Sequence, residues 1–286
     1  MEIIINGLNF AYGKRRVLSI SETSFEGGKA YGIVGKNGVG KTTFFKCLVN
    51  IITNYQGTIS INGLEVRSNL SVLGNVGIVL DDMNLYSNRT GMFNIKYFAG
   101  LRGGTRENTY ELARQLGIDH ALNDKVSTYS LGMTKKLQLL ISLMNDAEVL
   151  IFDEPFRGLD AETVEWFRNY LNALKEQGRM ILISSHVQED IEAISDRVLV
   201  LENGNFQAEF DLKDRTQDFI YRVEVTQAEV FKDLLKEASI SFKKEKAFIQ
   251  FIADEETYRQ LFRTAVHSDI EFLQIKKEVQ FAKFVK

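Results

Sequence analysis

Gly35, Gly40, Lys41 and Thr42 stand in the spacing G-x-x-x-x-G-K-[ST], inside the run Y-G-I-V-G-K-N-G-V-G-K-T-T at 31–43. That spacing is a phosphate-binding loop. The residues Gly35, Lys36, Asn37, Gly38, Val39 and Gly40 form its curl, whose successive backbone N–H groups point at phosphate oxygens. A helix opening at Lys41 adds the positive end of its dipole. Lys41 is expected to reach the β- and γ-phosphates of a nucleotide, Thr42 to hold magnesium, and Thr43 to continue the cradle. The context supports this over an ordinary glycine turn: strand-like residues Tyr31–Val34 precede, and an apolar helix with Phe44, Phe45, Leu48, Val49 and Ile52 follows.

A second group of reactive side chains comes later. V-L-I-F-D-E at 149–154 is an apolar run ending in two acids, the way a buried parallel strand delivers side chains to its C-terminal edge. Asp153 is the expected magnesium carboxylate. Neighbouring strand residues face opposite ways, so Glu154 reaches the same site if the strand ends there, and Pro155, the single proline of the chain, supplies the break. His186 follows the apolar run R-M-I-L-I-S at 179–184 on the same edge. Ser185 and Gln188 have capping-box spacing ahead of the next helix. Tyr12 stands at the end of the first strand, either to stack on a nucleotide base or as an exposed loop tyrosine.

These groups need a sheet to hold them. Residues 2–12 and 18–25 read as strands, and Asn62-Gly63 between Ile59–Ile61 and Leu64–Val66 is a hairpin signal, which gives an antiparallel layer beside the phosphate-loop sheet. From Thr90 to about Met144 the apolar spacing is helical, with Phe93, Tyr97, Leu101, Leu112, Leu116 and then Leu131–Met144. Asp160 is placed to cap a helix over 161–176. Asn203-Gly204 closes a second hairpin. Past the charged stretch Asp211–Asp218 the order β-α-β-β-α-β over 221–279 predicts a small ferredoxin-like unit without a chemical motif. The expected organisation is a nucleotide-binding domain at 1–212 and an α+β accessory domain at 213–286.

Composition narrows the class. A chain of 286 residues with 44% hydrophobic side chains has ample core for one large and one small domain. The net charge of −3 disfavours nucleic acid as a partner, because phosphate-backbone binding needs a basic excess. The lone cysteine, Cys47, allows no disulfide within one chain and reads as a small core residue, fitting a reducing, cytoplasmic setting. The longest apolar stretches, such as 137–144, fall short of the roughly 18 residues needed to span a bilayer. The chain is expected to be soluble.

With these residues in place the chain resembles the ATP-binding cassette (ABC) ATPases, the nucleotide-binding subunits of ABC transporters, over about residues 2–210. Y-S-L-G-M-T at 129–134 is similar to the family's signature, G-L-D at 158–160 to its D-loop, and S-S-H at 184–186 to its switch histidine. The resemblance implies an α/β P-loop cassette with an antiparallel β-subdomain and a helical subdomain. It also implies ATP and Mg²⁺ as ligands, Tyr12 as the adenine-stacking aromatic, and Lys41, Glu154 and His186 as the catalytic groups, with Glu154 preparing water.

Two positions depart from the family pattern. Asp81, in V-G-I-V-L-D-D at 76–82, stands where the family carries a glutamine, and Leu131 replaces the first signature glycine, with Ser130 and Gly132 retained. Asp81 is expected either to ligate magnesium or to weaken coupling. One P-loop and one signature per chain imply a second ATPase subunit, a homodimer, in which each ATP lies between the P-loop of one chain and Ser130 and Gly132 of the other. Integral-membrane permease subunits would hold the dimer at the inner face of the cell membrane, docking near residues 81–100, as in bacterial exporters of drugs, peptides or polysaccharides. A soluble ABC ATPase with another partner, or a regulatory module with weak hydrolysis, are the alternatives. A GTPase is disfavoured by the absence of an N-K-x-D segment.

Overall fold

The computed structural model of the chain describes residues 1–101, 109–214 and 218–285. Residues 102–108 of the expected helical stretch and 215–217 of the charged stretch lie outside the described residues. Two units emerge, Met1–Phe210 and Asp211–Phe284.

In the first unit, β1 (Glu2–Tyr12) buries Ile3 and Ile5, then Leu8 and Phe10. The alternation slips between the two pairs, where Gly7 takes φ 62° and the register with its neighbour shifts. This bulge keeps both pairs on the core face. β2 (Arg15–Glu26) pairs antiparallel with β1, β3 (Ala30–Val34) is buried throughout, and α1 (Lys41–Leu48) follows the phosphate loop. α1 stops earlier than the apolar spacing suggests: Val49 is its C-cap, Asn50 turns left-handed at φ 57°, and Ile52 lies beyond the helix. β4 (Gln56–Ile61) and β5 (Leu64–Glu65) meet through Asn62-Gly63, both at positive φ as a tight primed turn requires. The antiparallel sheet runs β2-β1-β4-β5.

The chain then forms β6 (Val76–Val79), α2 (Gly91–Leu101), α3 (Thr109–Gln115) and α4 (Leu131–Leu143). Between α3 and α4 lie 3₁₀ turns at Asp119–Ala121 and Val126–Thr128, and Thr90 bridges to Lys125. The helical stretch is therefore broken into packed pieces. β7 (Val149–Asp153), α5 (Ala161–Glu176), β8 (Met180–Ser184), α6 (Gln188–Ile194), β9 (Arg197–Glu202) and β10 (Asn205–Asp211) complete a six-stranded sheet in the order β10-β9-β3-β8-β7-β6. Strands β9, β3, β8, β7 and β6 pair in parallel. β7 and β8 are buried at every residue, which their uninterrupted apolar runs anticipate. Ile3, Ile5 and Phe25 of the antiparallel layer, Phe44 and Phe45 of α1, and Ile151 and Leu182 of the parallel sheet share one core with Cys47. Burial pushes the Cys47 thiol up to about 12, so it behaves as a small apolar side chain.

Asp160 caps α5 as expected, its Oδ1 accepting from Thr163 N at 2.8 Å. Ser185 does not cap α6. The N-cap is Val187, and Ser185 Oγ instead accepts from Val187 N at 3.0 Å and donates to Asp190 Oδ2 at 2.9 Å. The other oxygen of Asp190 takes the half-buried Arg168, so Ser185 serves the buried carboxylate of an ion pair rather than the helix end.

In the second unit, β11 (Phe219–Val225), α7 (Ala228–Glu237), β12 (Phe242–Glu245), β13 (Phe248–Ala253), α8 (Glu255–His267) and β14 (Phe272–Val279) follow in the β-α-β-β-α-β order. The sheet runs β12-β13-β11-β14 with antiparallel neighbours, the ferredoxin-like arrangement. Tyr221, Val223, Phe231, Leu235, Phe251 and Leu261 form its own core. Among the described residues, no helix is long and apolar enough to cross a membrane.

Candidate active site

The carboxyl ends of β3, β8 and β7 lie side by side, and each delivers one part of the site, as open α/β sheets do. After β3, the backbone at Gly35 passes so close to Leu201 that a Cβ would lie 2.3 Å from the Leu201 carbonyl oxygen. No side chain fits there. The loop returns Lys41 to the start of α1, where its ammonium donates to Gly35 O at 2.6 Å and approaches Lys36 O at 3.5 Å. Burial pushes the Lys41 pKa down, while Glu154 and Asp153 pull it back up. A buried cation held by carbonyl oxygens is a seat for an anion.

β7 ends at Asp153, which is 1% exposed. Both of its oxygens are engaged: Thr42 Oγ1 donates to Oδ2, and Ser184 Oγ donates to Oδ1 at 2.5 Å. Ser184 comes from the adjacent strand, where it pairs with Asp153 in register. The bend expected at Pro155 falls one residue earlier. Glu154 itself takes φ 50°, a conformation costing about 1–3 kcal/mol for a non-glycine residue and characteristic of functional positions. Its N–H is fixed by Ser184 O at 3.1 Å and Ser184 Oγ at 3.2 Å. The carboxylate meets His186 twice, Oε2 accepting from the His186 backbone N at 3.3 Å and standing 2.7 Å from Nδ1.

Most of the sequence-expected residues come together. Asn37, Gly38, Gly40, Lys41, Thr42 and Thr43 line one cavity of about 330 Å³, within the range of small-ligand pockets. Asp153, Glu154, Asp81 and Tyr12 line the same cavity. Tyr12 ends β1, packs edge-on against Phe10 at 4.8 Å and stays 54% exposed. Gly35 and Lys36 contact Lys41 through their carbonyl oxygens, and His186 contacts Glu154. Val39 lies beside Gly35, against the position a Cβ would take there. Ser130 and Gly132 do not line the cavity. They open α4, where Ser130 Oγ accepts from Met133 N at 3.2 Å and a Cβ on Gly132 would stand 2.6 Å from Gly158 O. Leu131 is 65% exposed and leans on Gly158.

Asp81, just past β6, faces cations. Arg157 Nη1 donates to its Oδ2 at 3.1 Å, and Lys135 Nζ lies 4.0 Å from Oδ1. Among the described residues no hydrogen bond joins Asp81 to Thr42 or Asp153, and no three His, Cys, Asp or Glu side chains gather as a metal cluster. The Thr42 hydroxyl and the Asp153 carboxylate are oxygen donors of the kind a hard cation shared with phosphates takes. They fit magnesium. Reading the sequence missed three contributors: Ser184, hidden as the end of an apolar strand, and Arg15 and Val17, which line the cavity from β2 without any motif.

Comparison with known proteins identifies the family. Residues 18–157 match the family described as "ABC transporter". The chain is 35% identical over 219 residues to the bacitracin transport ATP-binding protein BcrA of Enterococcus faecalis, covering 75% of this chain and 71% of that one. It is 29% identical over 216 residues to the lantibiotic transport ATP-binding protein SrtF of Streptococcus pyogenes, covering 75% and 93%. A solved structure of the ATP-binding subunit of an ABC transporter superposes with a TM-score of 0.69 at 22% identity, covering 92% of this chain and 100% of that one, a likeness of fold.

Proposed function

The chain belongs to the ABC transporter family as an ATP-binding subunit, and from that premise we propose that it hydrolyses ATP to ADP and phosphate, with magnesium, in a dimer that drives transport through separate integral-membrane permease subunits. The observation carrying the proposal is the convergence of Lys41, Thr42, Asp153 and Glu154 on one cavity, with the Glu154 carboxylate held by His186. Lys41 and the backbone N–H groups of 35–41 take the phosphates, in a reaction where positioning and electrostatics do most of the catalysis. Thr42 and Asp153 would hold magnesium, which supplies charge neutralisation at the phosphate oxygens. Glu154 orients and deprotonates the attacking water, and His186 fixes that carboxylate and reaches the γ-phosphate.

Since Ser130 and Gly132 stand outside the cavity of their own chain, a second copy is the source of the signature for each bound ATP. Such a homodimer would sit at the cytoplasmic face of the membrane. The permease would dock on the exposed aromatic group Tyr86, Phe93 and Tyr97, within the loop and helix expected for this contact. Relatives named for bacitracin and lantibiotic transport favour a peptide-like cargo.

Glu154→Gln tests the proposal. The amide oxygen can accept the same two His186 contacts, so ATP should bind within a few-fold of wild type while turnover falls by about 10²–10⁴-fold. With magnesium and ATP, light scattering should report an accumulated dimer, which the added substitution Ser130→Arg should abolish without removing nucleotide binding. Wild-type turnover in Glu154→Gln would refute the catalytic assignment. Stable ATP binding without a dimer, even beside the permease, would refute the shared site.

A further inference from the structure

Two consecutive acids follow β6, and each is paired with a different part of the first unit. Asp82 pairs with Lys46 of α1, the helix that starts at the phosphate loop. Asp81 accepts from Arg157, on the loop between Glu154 and Asp160, and faces Lys135 of α4. One turn farther along α4, Gln138 Nε2 donates to Met83 O at 2.6 Å. Residues 81–83 are thus held from three sides: the phosphate-loop helix, the signature helix and the loop past the catalytic acid.

Lys135 gives this arrangement its direction. Its side chain is 5% exposed, and among the described residues Asp81 is the carboxylate within ion-pair reach. A buried ammonium left without a counter-charge is costly, and breaking such a pair from one side costs more than the pair contributes. Arg157 adds a second cation on the solvent side, 60% exposed. The aspartate standing where the family's pattern has a neutral glutamine therefore arrives with its charge already matched by the same chain.

We infer that Asp81 is the counter-ion of Lys135 and Arg157, a positioning residue that ties α4 and the Glu154 loop to the β6 edge, rather than a magnesium ligand. The inference rests on the nucleotide-hydrolysis reading for its effect on turnover, whereas the ion cluster itself is testable without nucleotide. Restoring glutamine at position 81 should harm the protein, because it takes from Lys135 the carboxylate that acts on it most strongly and leaves only the weaker pull of Asp153 and Glu154. Neutralising Lys135 as well should repair it.

The test uses the full chain as wild type, Asp81→Gln, Lys135→Gln, the double variant, Asp81→Glu and Arg157→Gln. Thermal unfolding without nucleotide should fall by about 5 °C in Asp81→Gln and recover by more than half of that in the double variant. Asp81→Glu, which keeps the charge, should stay near wild type, and Arg157→Gln should lose less than Asp81→Gln. Binding of a fluorescent ATP analogue, titrated with magnesium, should give the same half-saturating magnesium in the double variant as in wild type. A rise of about tenfold or more in both Asp81→Gln backgrounds would mark a metal ligand and overturn the inference. Additive unfolding shifts would overturn it too. If Asp81→Gln alone fails to fold while the double variant folds, the coupling is established outright. A wild-type chain that binds nucleotide but never hydrolyses it would sink the proposed function, and the unfolding cycle would still decide the cluster.

Discussion

Ser184→Ala removes a single oxygen on which both acids of the site depend. The hydroxyl donates to Asp153 Oδ1 at 2.5 Å and accepts from Glu154 N at 3.2 Å, in a residue with no exposed surface. Without it, one oxygen of a 1%-exposed carboxylate loses its donor, and a hydrogen bond to a charged group is worth about 1.5–3 kcal/mol. The Glu154 N–H is better protected, because Ser184 O accepts it at 3.1 Å and remains. The nucleotide-free chain should therefore lose about 2 kcal/mol, a fall in melting temperature of roughly 4–8 °C for a chain of this size. Catalysis should suffer differently: Asp153 is freer to turn, so kcat should drop about tenfold, equivalent to about 1.4 kcal/mol, while KM for ATP changes little. Differential scanning calorimetry and a steady-state ATPase assay across magnesium concentrations measure both parts. An unchanged melting temperature with unchanged kcat would refute the claim that Ser184 positions the acids. A raised KM at constant kcat would show that it serves binding instead.

Two further outcomes follow from burial and from the division of the chain. Lys41→Met should abolish most ATP binding yet raise the melting temperature of the nucleotide-free chain, because burial holds the Lys41 pKa below its ordinary 10.5 and the charged form is the penalised one. The sign follows from proton linkage: the penalty is full below the folded pKa and vanishes as pH approaches 10.5, so the gain from methionine should shrink at alkaline pH; a gain that grows with pH would refute it. A chain ending after Leu212 should fold and bind ATP, since Tyr221, Phe231 and Phe251 belong to a core of the second unit's own; an insoluble product would place the boundary elsewhere.

The parts of the site legible in the sequence are those whose chemistry is contiguous. Gly35–Thr43 carries its own turn, cradle and helix start, and 149–154 carries both the buried strand and the acids at its end. Asn62-Gly63 and Asn203-Gly204 announce their hairpins because a two-residue turn needs positive φ at both positions. Side chains whose roles depend on neighbours remote in the chain were not legible. Ser184 reads as the last residue of an apolar strand until Asp153 is found beside it in register. Ser185 has the spacing of a helix cap, but a buried Asp190 competes for its hydroxyl. The end of α1 is hidden for a related reason, since Val49 and Ile52 keep helical spacing while Asn50 turns the backbone left-handed.

The same distinction bears on how far one substitution in a family pattern can be read by itself. Asp81 taken alone adds negative charge near Asp153 and Glu154, which argues for a metal ligand or a weakened enzyme. Lys135 and Arg157 change the sign of that argument, because they supply two positive charges at the same point and one of them is buried. α4 also carries Lys136, whose Nζ lies 2.8 Å from Asp160 Oδ2 and holds that carboxyl well below the usual range. Adjacent lysines of the signature helix therefore grip an acid on either side, Asp81 beyond β6 and Asp160 beyond β7. Arg157 lies on the second of these loops and reaches across to the first. Any movement of α4 must either carry both acids with it or break a pair, and losing Asp81 would take from the buried Lys135 ammonium its main counter-charge. The signature and the acid-bearing edge of the sheet should consequently move as one body, tied by Asp81 together with the Lys136–Asp160 pair and the Gln138–Met83 hydrogen bond.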